Sequence, residues 1–173
     1  MNNTKTIFKS LLIMIVAISL FTVSCSKDEG GTKNPTNPIV KVSAQNITDT
    51  LKGLGELKDT DGSSTVILDF SNIDPQNGSA AITGANQSFA KVKGALGILT
   101  TPQTILTVTH NLSTVTKPNA SEALNVEITF KANSGFEFDE SITADSATAY
   151  TYDKNNKTAK LTLKITPSAN WTE

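Results

Sequence analysis

The stretch Ala147-Thr148-Ala149-Tyr150-Thr151-Tyr152-Asp153-Lys154-Asn155-Asn156-Lys157-Thr158-Ala159-Lys160-Leu161-Thr162-Leu163-Lys164-Ile165-Thr166 decides the fold class. Two β-rich runs, Ala147 to Tyr152 and Thr158 to Thr166, flank the polar segment Asp153 to Lys157. That is the composition of a hairpin turn between two strands. In the second run Leu161, Leu163 and Ile165 alternate with Lys160, Thr162 and Lys164. Side chains on a strand point to opposite faces in turn, so one face of this strand is apolar and the other is wet. Alternation of this kind is the signature of an antiparallel sheet with one solvated side.

The same period recurs just upstream. Leu124, Val126, Ile128 and Phe130 alternate with Asn125, Glu127, Thr129 and Lys131, and Phe136-Glu137-Phe138 places two aromatics on one side after Gly135. Thr104 to Leu112 is also β-rich, with Ile105, Leu106 and Val108 set among threonines. The C-terminal third therefore reads as sheet.

The N-terminal half has a different period. Ile47, Leu51, Leu54 and Leu57 are spaced for one helical face, with Ser43 or Asn46 as the cap, which predicts a helix over 43–58. Phe89, Val92, Leu96 and Leu99 predict a second helix over 86–100, opened by Asn86 or Ser88 and closed by Pro102. Gly53, Gly55, Gly94 and Gly97 weaken both helices, by about 1 kcal/mol each relative to alanine. Between them Thr65 to Phe70 reads as a strand with Val66, Leu68 and Phe70 on one face. Asp74-Pro75-Gln76-Asn77-Gly78 reads as a turn, and Ala80 to Thr83 as a short strand leaving it. Leu51 to Leu57 echoes Val92 to Leu99, and a strand follows each, which suggests two helix-strand units; two copies fall short of the three that a solenoid needs. The expected architecture is α+β: an antiparallel sheet dominated by the C-terminal strands, with one or two short helices packed on it. An all-β sandwich is the alternative if the glycines defeat the helices.

The first 40 residues follow other rules. Lys5 and Lys9 precede an apolar stretch, Leu11 to Val23, about 13 residues long, the length of a signal-peptide core and short of the ~20 residues that a membrane-spanning helix needs. Cys25, the only cysteine, follows at once and is itself followed by the polar run Ser26 to Gly31. Gly30-Gly31, Pro35 and Pro38 mark a flexible tether. The organisation is then a signal peptide over 1–24, a tether over 25–40 and a single globular domain over 41–173.

Phe21-Thr22-Val23-Ser24-Cys25 resembles a bacterial lipobox, in which a small residue precedes the cysteine that becomes the lipidated N-terminus; Thr22 stands where that pattern favours leucine. The resemblance implies a lipoprotein whose Cys25 carries a diacylglycerol and an N-acyl chain. Three chains make such an anchor effectively permanent, where one acyl chain gives only marginal membrane binding. Ser26 stands where an aspartate commonly retains such proteins at the inner membrane, and Ser26-Lys27-Asp28-Glu29 is similar to the export tethers of surface lipoproteins. The resemblance thus implies the outer membrane, with display at the cell surface. A thioether at Cys25 also removes the liability of a lone reactive thiol in an exported protein.

Composition limits the function classes. Loss of Lys5 and Lys9 leaves 13 lysines against 16 carboxylates, a formal charge of −3, which excludes a strongly basic nucleic-acid binder. All the positive charge is lysine, so the planar fork that arginine offers to phosphates and carboxylates is missing. The triplets at Asn46, Asn77, Asn111, Asn119, Asn156 and Asn170 fit glycosylation acceptors but are given no role in a bacterial lipoprotein.

Catalytic equipment is sparse. His110 is the only histidine, at a strand end on the face of Leu106 and Val108, and reads as a residue in or beside the core. Asp59-Thr60-Asp61-Gly62-Ser63 fails as a calcium loop: glycine is fourth instead of sixth, and Phe70 stands where the loop needs its glutamate. Neither GxGxxG after a strand nor GxxxxGK(S/T) occurs. Glu137, Asp139 and Glu140 are paired-carboxylate candidates that read better as a solvated edge. Tyr150, Tyr152 and Trp171 are the aromatic candidates for a sugar or protein contact; Tyr150 and Tyr152 share a strand face, so at least one should be packed. The expected function is therefore a non-enzymatic, lipid-anchored envelope protein, antigen-like or a binding module. It is expected to use no catalytic residues, metal or free cofactor, and to take a protein or glycan as partner. The alternative is a small hydrolase or hydrolase-accessory lipoprotein using carboxylates such as Asp69, Asp139 and Glu140.

Overall fold

A computed structural model describes residues 38–100 and 104–173. The lipobox segment with Cys25, most of the tether, and Pro102 lie outside the described residues. The order is β1 (Val40–Val42), α1 (Ala44–Lys52), β2 (Glu56–Lys58), β3 (Val66–Asp69), β4 (Ser79–Ala85), α2 (Phe89–Leu96) with a 3-10 turn (Gly97–Thr100), β5 (Leu106–His110), β6 (Leu124–Ala132), β7 (Phe136–Phe138), α3 (Glu140–Thr143), β8 (Thr151–Asp153) and β9 (Thr158–Pro167). The architecture is α+β. Among the described residues, no helix is long and apolar enough to cross a membrane.

The main sheet has the order β4-β9-β6-β5, with β8 also on β9. Strand alternation sets its inner face. Leu124 faces Ile165, Val126 faces Leu163 and Ile128 faces Leu161 across the antiparallel β6–β9 ladder, and all six are almost completely buried. Residues from both longer helices, Ile47 and Leu51 on α1 and Val92 and Leu96 on α2, belong to the same core. Two small ladders complete the fold: β1 parallel to β7, and β2 antiparallel to β3.

One edge of β9 is shared. The first residues, Thr158 to Lys160, pair antiparallel with β8, and from Thr162 onward β4 takes over as a parallel neighbour. The sheet is thus mixed, which alternation alone does not reveal. The same sharing shortens the hairpin. Residues 147–150 read as strand but cannot pair with β9, because Thr162 N–H is already bonded to the Gly78 carbonyl at 2.7 Å. The turn itself is held by Asp153, whose Oδ1 accepts the backbone N–H groups of Asn155 and Asn156. These bonds, with the Asn156 side chain foremost, keep its carboxyl below the usual carboxylate range.

The helices are shorter than their periodicity suggests. Ser43 caps α1 in a capping box with Asn46, but the helix ends at Lys52. Gly53 closes it, Gly55 takes a positive φ of 57°, and the chain turns into β2. Residues 56–58, expected to be helical, are therefore strand; Leu54 and Leu57 pack against the core from non-helical backbone. Ser88 caps α2, and Leu99 is buried from the 3-10 turn that follows. In β3, Val66 is exposed while Ile67 and Leu68 are both buried, so that strand lacks the clean alternation expected with Val66 inward. The two helix-strand segments settle differently: β3 pairs with β2, whereas β5 forms one edge of the main sheet.

Candidate functional site

Several polar side chains gather where β8, the loop between α3 and β8, and the turn before β4 meet. They line an open hollow of about 340 Å³ that includes Asn77, Thr143, Asp145, Thr148, Tyr152 and Lys154. The local sequence explains each position. Asn77-Gly78 forms the two-residue turn between Gln76 and Ser79, which bond each other through both backbone groups at 2.7 and 3.0 Å. Both turn residues have positive φ, 50° and 73°, the conformation that asparagine and glycine tolerate best. Asp139 caps the short α3 by accepting Ser141 N–H at 2.9 Å, which sets the start of the 144–150 loop. Thr148 carbonyl accepts Gly78 N–H at 2.8 Å and so staples that loop to the turn.

The floor is rigid. Tyr150 is 2% exposed, and its ring meets Phe130 edge to face at 5.9 Å. Its hydroxyl lies 3.4 Å from Thr48 Oγ1. Because Thr48 donates to the Ala44 carbonyl, the phenol is the donor to Thr48. Burial pushes the Tyr150 phenol up to about 12. Tyr152 is half-buried, edge to face with Phe138 at 6.1 Å. At the rim, Lys154 Nζ and Asp145 Oδ1 lie 2.6 Å apart and are highly exposed. The pair lowers the aspartate pKa and raises that of the lysine. It holds geometry and neutralises the rim; pairs this exposed contribute little stability.

The other sequence candidates are dispersed. Asp69 accepts Ser71 N–H at 2.9 Å and closes the turn after β3, bonds that lower its pKa. Asp139 is the α3 cap, Glu140 is exposed, and Glu137 pairs with Lys41 across the β1–β7 ladder. Among the described residues, no three His, Cys, Asp or Glu side chains gather as a metal site. Asp59 and Asp61 both contact Lys91 Nζ, so an ammonium occupies the space between those two aspartates. The Asp61 carboxyl is lowered to about 2, chiefly by its bonds to Ser63 and secondarily by Lys91. His110 is half-buried at the end of β5; its Nδ1 accepts Leu112 N–H at 3.4 Å, while Nε2 is buried without a hydrogen-bond partner among the described residues. Trp171 is structural: its indole packs on Phe89, and Nε1 donates to the Glu122 carbonyl at 2.8 Å.

Tyr150 and Tyr152 were legible as candidates; Tyr150 is packed, but it precedes β8 instead of sharing a strand face with Tyr152. Asn77, Asp145 and Lys154 were not. The Asn-Gly turn marked a bend, but no local pattern says that this bend meets the 144–150 loop. The fold is an α+β body, and the hollow beside β8 is a polar recess on it. The chain matches no protein-family model, no curated protein and no solved structure.

Proposed function

We propose that this chain is a bacterial lipoprotein of the outer membrane, held by acyl chains on Cys25, whose domain acts as a non-enzymatic binding module at the cell surface. The placement of Cys25 carries the reading: one thiol, directly behind a basic and apolar leader and directly ahead of a polar tether. The domain begins with β1 soon after the tether, so a lipidated N-terminus and a folded body are compatible. The non-enzymatic part is supported by the carboxylates that a hydrolase would recruit. Asp69 and Asp139 are engaged in holding backbone turns, and Asp69 is shifted toward stronger acidity, away from the raised pKa of a general acid.

Replacing Cys25 with alanine should abolish incorporation of labelled fatty acid and release the protein from membranes. Unchanged membrane association would refute the lipoprotein assignment. Protease treatment of intact cells reads surface display separately: cleavage of the domain is expected, and complete protection until the outer membrane is broken would place it inside.

A further inference from the structure

The hollow beside β8 has a chemistry that selects among ligands. Four of its polar side chains, Asn77, Thr148, Thr151 and Tyr152, have no protein hydrogen-bond partner among the described residues. Asn77, Thr148 and Thr151 are exposed and Tyr152 half-buried, so water or a ligand satisfies them. Together they present an amide, two aliphatic hydroxyls and a phenol; each hydroxyl both donates and accepts, and the amide donates through nitrogen and accepts through oxygen. The rim pair adds one carboxylate and one ammonium, so the charge there sums to zero. Half-buried Tyr152 supplies an aromatic ring beside this polar set, and buried Ile142 and Tyr150 back the recess with core. At about 340 Å³ the hollow lies at the small end of the range of ligand sites.

We infer that this hollow binds a neutral saccharide unit, with Tyr152 as the ring platform and Asn77, Thr148 and Thr151 as the hydroxyl-reading groups. The inference deepens the binding-module reading above and rests on it. An anionic ligand gains nothing here, because Lys154 is already neutralised by Asp145 and no arginine exists in the chain. A peptide side chain would need an apolar anchor pocket, whereas the uncommitted lining is hydroxyl and amide. A sugar carries several hydroxyls that donate and accept at once and an apolar ring face, which is the complement of this set.

The test is equilibrium binding of the purified full chain to neutral oligosaccharides of glucose, galactose, mannose and xylose, with sialylated and sulfated oligosaccharides and an acidic and a basic peptide as comparators. Saturable binding of at least one neutral sugar is expected. It should fall tenfold or more in Tyr152→Leu combined with Thr148→Ala, and by a similar factor in Asn77→Asp, which keeps the positive φ. Each variant should keep the wild-type unfolding midpoint within a few degrees. Absence of neutral-sugar binding, sugar binding that these variants leave within twofold, or dependence of a charged ligand on the same residues would each overturn the inference. Cys25→Ala should bind sugar as the parent does, so a failed anchor and a failed sugar site are told apart.

Discussion

Replacing Gly78 with alanine tests the junction on which both the sheet and the hollow depend. Gly78 has φ of 73°, and a Cβ there would lie 2.8 Å from Thr151 Oγ1. The backbone cannot swing aside, because Gly78 N–H is bonded to Thr148 and its carbonyl to Thr162, at 2.8 and 2.7 Å. The left-handed conformation costs an L-residue about 1–2 kcal/mol, and a methyl pressed against the Thr151 hydroxyl adds roughly 1–3 kcal/mol of overpacking. The expected loss is therefore about 2–5 kcal/mol, a large part of the ~5–15 kcal/mol that holds a domain of this size together. Urea unfolding followed by the fluorescence of Trp171, the only tryptophan, should show the midpoint falling at constant slope. A second substitution separates the two causes. Thr151→Ala removes the clashing oxygen, and the next atoms of Thr151 stand at 3.6 and 4.0 Å, ordinary contact distances. In the Gly78→Ala background it should recover the steric part and leave about 1–2 kcal/mol of backbone strain; alone, at an exposed position, it should shift stability by only about 0.5 kcal/mol. Gly78→Ala at wild-type stability, or a double variant showing no coupling between the two positions, would refute the reasoning.

Tyr150→Phe keeps the contact with Phe130 and deletes the phenol that reaches Thr48, so a loss of about 0.5–1.5 kcal/mol is expected in urea unfolding at neutral pH. The same phenol sets an alkaline limit: below pH 10 it is neutral in both states, and between 10 and about 12 the unfolded chain ionises first, so stability falls as pH rises through that window. Tyr150→Phe should flatten this decline in a pH series of unfolding midpoints, and an unchanged decline would count against the buried phenol as its source. Trp171→Ala removes a ring that is 6% exposed, its edge-to-face contact with Phe89 and the bond to Glu122, for an expected cost of about 3–5 kcal/mol by circular-dichroism unfolding. A loss below 1 kcal/mol would show that the C-terminal residues do not clamp the domain.

Local pattern and tertiary structure agree where one physical period dominates. Leu124 to Phe130 and Leu161 to Ile165 are buried on the face their alternation names, and Ser43 and Ser88 cap the two longer helices. The errors fall where two local signals competed. Leu54 and Leu57 continue the helical spacing of Ile47 and Leu51, but Gly53 and Gly55 lie between, and the left-handed turn at Gly55 won. Apolar residues leaving a broken helix can still reach the core from strand or turn, so their spacing alone overstates helix length. At Val66 and Ile67 the expected alternation failed because β3 buries two successive side chains. The candidate site was less legible: Tyr152 was visible as an aromatic on a strand, but the partners that make it part of a recess come from Asn77 and Asp145, far from it along the chain or in a loop without periodicity.

The amino-acid order by itself determined the faces of the principal strands, the helix starts, the charge balance and the position of the single thiol. These depend on neighbours a few residues apart, where strand alternation, helical spacing and capping act directly. The tertiary structure alone decided that β4 runs parallel to β9, that β8 is cut short at Thr151, and that an Asn-Gly turn closes against the 144–150 loop. The physical reason is competition for one strand edge. The backbone groups of β9 can be satisfied only once, and which segment claims them is settled by packing across the whole core, a sum that no local pattern contains.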